Sequence, residues 1–148
     1  MNIDTALLGV TRIFLDSAPV IYLVERNPAR LILMMEIFRR IAAGTPEAYT
    51  SPVTLAECLI APLRLGQVQL QQDFTDLILE GENTTFVEIS AVLGRRAAEV
   101  RAQYNLTLPD AIQVAVALQS GCEAILTNDV HLQRVAELGV VLVDELEL

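Results

Sequence analysis

Short apolar segments alternate with longer helical segments along the whole of this chain. Each apolar run has the length of a buried strand, and several end in a polar or acidic residue. The five runs are RIFLD (12–16), EAYTSP (47–52), TTFVEI (84–89), EAILTND (123–129) and VVLV (140–143). Strands separated by helices form right-handed crossovers, which give a mainly parallel sheet covered on both faces. The sequence therefore predicts an α/β fold in the form of a three-layer domain.

The segments between these runs carry the start and stop signals of helices. Pro28 is expected to open one helix and Gly44 to close it, and Ser90 is a candidate N-cap for another. The predicted helices span 18–25, 28–44, 53–66, 67–81, 90–105, 108–119 and 130–138. The C-terminal DELEL is expected to be a frayed acidic end.

Length and composition indicate one domain with a substantial core. The chain has 148 residues, and its 53% of hydrophobic residues argues against disorder. No apolar run approaches the ~18 residues of a spanning helix, and the first residues lack the basic region of a secretory signal. Cys58 and Cys122 lie in apolar contexts that are typical of buried thiols. We therefore expect a cytoplasmic protein with no membrane partner.

The charge of the chain limits how it can bind nucleic acid. The net charge is −9, and all ten basic residues are arginine. An acidic chain does not attract polyanions through its overall charge, so metal ions, local arginines or a basic partner must supply the attraction. Arg39-Arg40 and Arg95-Arg96 are candidate phosphate contacts, although arginines on helical faces usually lie in solvent near acids.

Four acidic residues have a topological reason to meet at one edge of the predicted sheet. Asp16 ends the first strand and Asp129 ends the fourth. Glu57 lies early in the helix after the second strand, and Asp110 opens the helix that leads into the fourth. In an open parallel sheet, sites form beyond the carboxyl ends of the strands, where the strand order reverses. If the first and fourth strands are neighbours, the four carboxylates converge there.

Such a cluster points to a particular chemistry. Closely packed carboxylates repel one another and stay ionised only beside a cation. Clusters of oxygen ligands select hard ions such as Mg²⁺ or Mn²⁺. These ions activate water and stabilise the charge that builds up on a phosphate during in-line attack. The cluster therefore predicts metal-assisted hydrolysis of a phosphodiester.

Four segments, taken in order, resemble the motifs of PIN-domain ribonucleases. They are FLDSAPVIYLVE, SPVTLAECLIAPLRLG, LPDAIQVAVALQSG and AILTND. They are most similar to the toxins of VapBC-type toxin–antitoxin systems, and the resemblance covers residues 12–144. We therefore expect a PIN domain over residues 12–148, preceded by an N-terminal extension of residues 1–11. Many members of that family start almost at the first strand.

The resemblance implies a role for each acid. It makes Asp16, Asp110 and Asp129 ligands of Mg²⁺ or Mn²⁺, and Glu57 completes the catalytic cluster directly or through a water. No residue is expected to bind an organic cofactor. The resemblance also implies three supporting polar groups beside the acids: Ser17, Thr127 and Asn128.

The resemblance further implies a strand order and a set of partners. The order 3-2-1-4-5 places the first and fourth strands side by side. The implied activity is metal-dependent cleavage of RNA by a homodimer. A cognate antitoxin is expected to place its tail in the active-site groove, and the segments APVIYLVE (18–25) and PARLILMMEIF (28–38) are expected to receive the antitoxin.

Each acid on its own also has a simpler structural explanation. The segment TLPD (107–110) fits a capping box, and a negative charge there suits the helix dipole. Asp129 could cap the next helix, and Glu57 could face solvent. Asp16 is harder to explain in this way, because an acid that ends a buried strand is desolvated unless it has a partner. His131 is expected at the surface or in a cap rather than as a general base.

Other classes of aspartate-rich α/β protein fit less well. A receiver-domain phosphoacceptor needs a lysine beside the phosphoryl group, and the chain has none. A haloacid-dehalogenase-like phosphatase needs a second aspartate two residues after the first, where Ala18 stands. A nucleotide-binding fold needs a glycine-rich loop after the first strand, and no glycine directly follows that strand here. The remaining alternative is a catalytically inactive PIN-like module that binds or regulates a partner.

Overall fold

Five short parallel strands form the central sheet. The computed structural model describes residues 1–148. The strands are β1 (Arg12–Leu15), β2 (Glu47–Thr50), β3 (Thr84–Phe86), β4 (Ala124–Thr127) and β5 (Gly139–Leu142). Their order is β3-β2-β1-β4-β5, and every neighbouring pair is parallel. The predicted α/β class and the strand order 3-2-1-4-5 are both confirmed.

Helices cover both faces of this sheet and give three layers. The α-helices are α1 (Ile3–Ala6), α2 (Ser17–Val24), α3 (Leu31–Ala43), α4 (Pro52–Arg64), α5 (Val68–Glu80), α6 (Ala91–Tyr104) and α7 (Leu108–Gln119). Because side chains alternate along a strand, Phe14 packs against α6 and α7, whereas Ile13 and Leu15 pack against α1 to α5. No helix combines the length and the apolar character needed to span a membrane.

Several element boundaries differ from the prediction for local reasons. Pro28 does not open α3, because the Asn27 side chain accepts hydrogen bonds from the N–H groups of Ala29 and Arg30 and holds a turn there. Gly44 ends α3 in the left-handed conformation, as predicted. β3 stops at Phe86, which pairs with the last residue of β2. The predicted helix over 130–138 is a short 3₁₀ helix, Val130–Arg134.

The two termini are paired with each other and with the body of the domain. The Ile3 N–H donates to the Glu147 carbonyl at 3.0 Å, and the Ile3 side chain is buried. Asp144, in a second 3₁₀ helix (Val143–Glu145), accepts two hydrogen bonds from the Arg30 guanidinium at 2.7 and 2.9 Å. The expectation of a frayed acidic C-terminus is therefore wrong, because Arg30 and the N-terminal backbone bind this segment.

Candidate active site

Asp16 lies directly after β1 and is buried, with only 7% of its surface exposed. Its Oδ1 accepts a hydrogen bond from the Ser17 N–H at 2.9 Å and so caps α2. Its Oδ2 accepts a hydrogen bond from the Thr127 hydroxyl at 2.6 Å. In the sheet register Leu15 lies opposite Leu126, so the next residues of the two strands also meet. This buried carboxylate therefore has two donors, one of which is supplied by the neighbouring strand.

The Thr127 hydroxyl also connects Asp16 to Asp129. Its oxygen accepts the Asp129 N–H at 3.0 Å, and Thr127 is fully buried. The Asp129 carboxylate accepts the His131 N–H at 2.9 Å and lies 3.0 Å from His131 Nδ1. Asp129 thus caps the following 3₁₀ helix, as the simpler explanation predicts. The His131 side chain lies at the surface, 62% exposed, as expected.

Asp110 lies in the first turn of α7. Its N–H donates to the Thr107 hydroxyl at 3.4 Å, so Thr107 is the N-cap. Burial, a hydrogen bond with the Asp129 carboxyl and repulsion from Asp129 and Asp16 raise the pKa of Asp110 to about 6. Burial alone would raise the pKa of Asp129, but hydrogen bonds from His131 and Asp110 hold it below its ordinary value. Of the two neighbouring carboxyls, Asp110 is therefore the one that takes up a proton first as the pH falls.

Glu57 reaches the same region from the second turn of α4. The residue is exposed as a whole. Partial burial and repulsion from Asp16 raise the pKa of Glu57, while a hydrogen bond from Ser17 acts in the opposite direction. Glu57 and Asp110 therefore both lie within the electrostatic range of Asp16. The structure brings together the four acids that the strand topology predicts.

The donor chemistry of this cluster suits a hard divalent cation, but the cluster is not a closed coordination shell. No set of three His, Cys, Asp or Glu side chains has a geometry that could hold a metal ion as it stands. All the acidic groups offer oxygen ligands only, as Mg²⁺ and Mn²⁺ prefer. The residues therefore fit such an ion by the chemistry of their donors.

The three predicted supporting residues have different surroundings. The Thr127 hydroxyl and the Ser17 N–H both donate to Asp16. The Asn128 side chain forms its hydrogen bonds away from the four acids. Its Nδ2 donates to the Tyr22 hydroxyl at 3.1 Å, and its Oδ1 accepts the Asp144 N–H at 3.0 Å. Asn128 therefore connects β4 to α2 and to the C-terminal segment.

A cleft beside Asp110 contains an arginine that the sequence reasoning missed. It has a volume of about 170 Å³, and its lining residues are Asn105, Leu106, Thr107, Asp110, His131 and Arg134. Arg134 is exposed and donates to the Asn105 carbonyl at 2.9 Å, which fixes its guanidinium at the cleft. The arginine pairs suggested by the sequence instead form ion pairs with Glu36 and with Glu99.

A model of the PIN domain family matches residues 13–138, so the chain belongs to the PIN domain family. No curated protein sequence matches it significantly. The solved structures that share its fold include three toxins or toxin–antitoxin complexes. VapBC2 from Rickettsia felis, bound to a promoter DNA fragment, is 16% identical with a TM-score of 0.67, over 88% of this chain and 97% of that one. A toxin–antitoxin complex from Klebsiella pneumoniae is 22% identical with a TM-score of 0.65, over 88% and 97%. VapC20 from Mycobacterium tuberculosis, a sarcin-ricin loop cleaving toxin, is 20% identical with a TM-score of 0.61, over 76% and 86%.

Proposed function

We propose that this protein is a metal-dependent endoribonuclease and the toxin of a toxin–antitoxin pair. The observation that carries the proposal is the meeting of four acids from four separate segments at the carboxyl edge of the sheet. Membership of the PIN domain family supports it. The likeness to VapC20, which is described as a sarcin-ricin loop cleaving toxin, supports RNA as the substrate class.

Each acid has a defined part in this proposal. Asp16, Asp110 and Asp129 would hold Mg²⁺ or Mn²⁺, and Glu57 would complete the cluster directly or through a water. The ion would supply an activated water and stabilise the charge that develops on the phosphate. The N-terminus of α7 favours negative charge on Asp110.

The supporting groups orient these carboxylates. The Thr127 hydroxyl and the Ser17 N–H hold the two oxygens of Asp16. The Arg134 guanidinium, fixed beside Asp110, would contact an RNA phosphate and so supply local attraction in an acidic chain.

The partners in this proposal are RNA, a second copy of the chain and a cognate antitoxin. The likeness to structures described as toxin–antitoxin complexes supports the antitoxin. The α2–α3 pair would receive it, since Ile32 and Met35 of α3 are 67% and 51% exposed. A small upstream gene for a protein with a DNA-binding fold would support the toxin role. Its absence would favour a nuclease that acts without an antitoxin.

An RNA cleavage assay with purified, antitoxin-free protein tests the enzyme. We expect cleavage that requires Mg²⁺ or Mn²⁺, stops with EDTA and disappears in Asp16→Asn. Asparagine is also a good N-cap, so α2 and the fold should persist, as circular dichroism can check. Asp76→Asn makes the same chemical change on α5, away from the cluster, and should keep full activity. A folded, metal-loaded wild type that cleaves no RNA would refute the enzyme and favour a partner-binding PIN-like module.

A further inference from the structure

Beneath the four acids lies a buried polar network that involves none of them directly. Its three side chains, Ser51, Thr54 and Gln113, are each at most 1% exposed. The Ser51 hydroxyl donates to Gln113 Oε1, and Gln113 Nε2 donates to the Thr54 hydroxyl at 2.7 Å. The Thr54 hydroxyl in turn donates to the Leu15 carbonyl at 3.0 Å. The network therefore joins α4, α7 and the end of β1.

Each end of the network lies close in sequence to one acid. Leu15 directly precedes Asp16. Thr54 lies one turn before Glu57 on α4, and Gln113 lies one turn after Asp110 on α7. Residues three apart on a helix are neighbours on its surface, so Thr54 lies next to Glu57 on α4 and Gln113 lies next to Asp110 on α7.

Gln113 orients both hydroxyls of the network. Its Oε1 accepts the hydrogen bond from the Ser51 hydroxyl. The Ser51 oxygen is then free to accept the Val53 N–H at 3.1 Å and cap α4. Its Nε2 occupies the Thr54 oxygen, so the Thr54 proton points to the Leu15 carbonyl. An apolar side chain would fill this part of the core equally well, so filling space does not explain a buried amide at this position.

We propose that Gln113 is a positioning residue for the metal site, and that with Thr54 it sets the spacing between the segments that carry Asp16, Glu57 and Asp110. This inference rests on the proposed function, because it assumes that these acids hold a divalent cation. Groups behind metal ligands typically change metal affinity by about 10- to 100-fold when they are removed.

The test is Mn²⁺ binding to the purified chain by titration calorimetry, with melting temperature and RNA-cleavage kinetics measured in parallel. Thr54→Val keeps the side-chain volume and removes the hydroxyl, whereas Thr54→Ser keeps the hydroxyl and removes a methyl group. Gln113→Met removes the amide at similar length. Val100→Ala, in the core on the α6 face, lowers stability without removing any hydrogen bond of the network.

We expect Thr54→Val and Gln113→Met to weaken Mn²⁺ binding and lower kcat, each by about 10- to 100-fold, with little change in KM for RNA. Thr54→Ser and Val100→Ala should melt at lower temperature and still bind Mn²⁺ as wild type does. If Thr54→Val and Gln113→Met bind Mn²⁺ as tightly as an active wild type, the positioning role is wrong and the nuclease proposal stands. If wild type itself binds no Mn²⁺, the metal site of the proposed function fails, and this inference fails with it.

Discussion

Thr127→Val is the substitution that most directly tests how the site is built. Valine has nearly the shape of threonine, so the change removes the buried hydroxyl without leaving a cavity. Asp16 Oδ2 loses a donor at 2.6 Å, and the Asp129 N–H loses an acceptor at 3.0 Å. The Ser17 N–H is then the remaining donor to Asp16 in this part of the chain.

The cost of this substitution follows from these two contacts. A hydrogen bond to a charged group contributes about 1.5–3 kcal/mol, and an unsatisfied N–H that is only half-buried adds about 1 kcal/mol. We therefore expect Thr127→Val to lower the free energy of unfolding by about 3 kcal/mol. In a chain of this length that is a fall in melting temperature of roughly 6–12 °C. Thr127→Ser loses only a methyl group, about 1 kcal/mol, or roughly 3 °C.

Thermal unfolding in EDTA, followed by circular dichroism, measures both variants. The same experiment in an Asp16→Asn background completes a double-mutant cycle. There the charged acceptor is absent, and Thr127→Val should cost only about 1 kcal/mol. A Thr127→Val protein that melts no lower than Thr127→Ser would refute the reasoning. The reasoning would also be refuted if the losses in free energy of unfolding caused by Thr127→Val and Asp16→Asn were simply additive.

Three further predictions concern charge. Asp110→Asn removes one crowded charge and keeps a polar first turn, so in EDTA at pH 8 it should melt at or above the wild-type temperature. Mn²⁺ should then stabilise wild type but not the variant, and equal stabilisation would contradict a ligand role. The Arg30 hydrogen bond lowers the pKa of Asp144 in the folded protein. The Arg30–Asp144 pair therefore stabilises the fold fully at pH values above the unfolded-state pKa of Asp144. This stabilisation is lost as the pH falls through the folded-state pKa. The stability gap between wild type and Arg30→Met should therefore narrow between about pH 5 and pH 2, and a constant gap would disprove it. Arg134→Ala should raise KM for RNA and leave kcat and Mn²⁺ affinity unchanged, whereas an unaltered KM would exclude the phosphate contact.

The strand topology made the acid cluster predictable because parallel strands impose a shared edge. Asp16 and Asp129 follow neighbouring strands, and the crossover helices must leave or enter at fixed ends of the sheet. The position of Glu57 and Asp110 at the same edge follows from that geometry rather than from any single motif. Local capping did not compete with this arrangement, since Asp129 caps a 3₁₀ helix and also raises the pKa of Asp110.

The polar network and the terminal contacts were not predictable in the same way. Gln113 is the one polar side chain among the buried residues of α7, which is a signal, but its partners Ser51 and Thr54 are about 60 residues away in sequence. Their pairing depends on how α4 packs against α7, which periodicity does not specify. The C-terminal segment is ordered by Arg30, and ion pairs between distant segments leave no local pattern in the sequence.

No single element of this fold carries two of the four acids. The turn after β1, α4, α7 and the loop after β4 contribute one carboxyl each, so the spacing of the acids depends on tertiary packing alone. Two sets of buried hydroxyls hold that packing: Thr127 joins β4 to Asp16, and Thr54 with Ser51 joins α4 and α7 to the residue before Asp16. Both sets meet at the end of β1, which is the central strand. The positions of the other three acids are therefore set relative to Asp16. A change in either set of hydroxyls should weaken metal binding at a smaller loss of stability than is needed to unfold the domain.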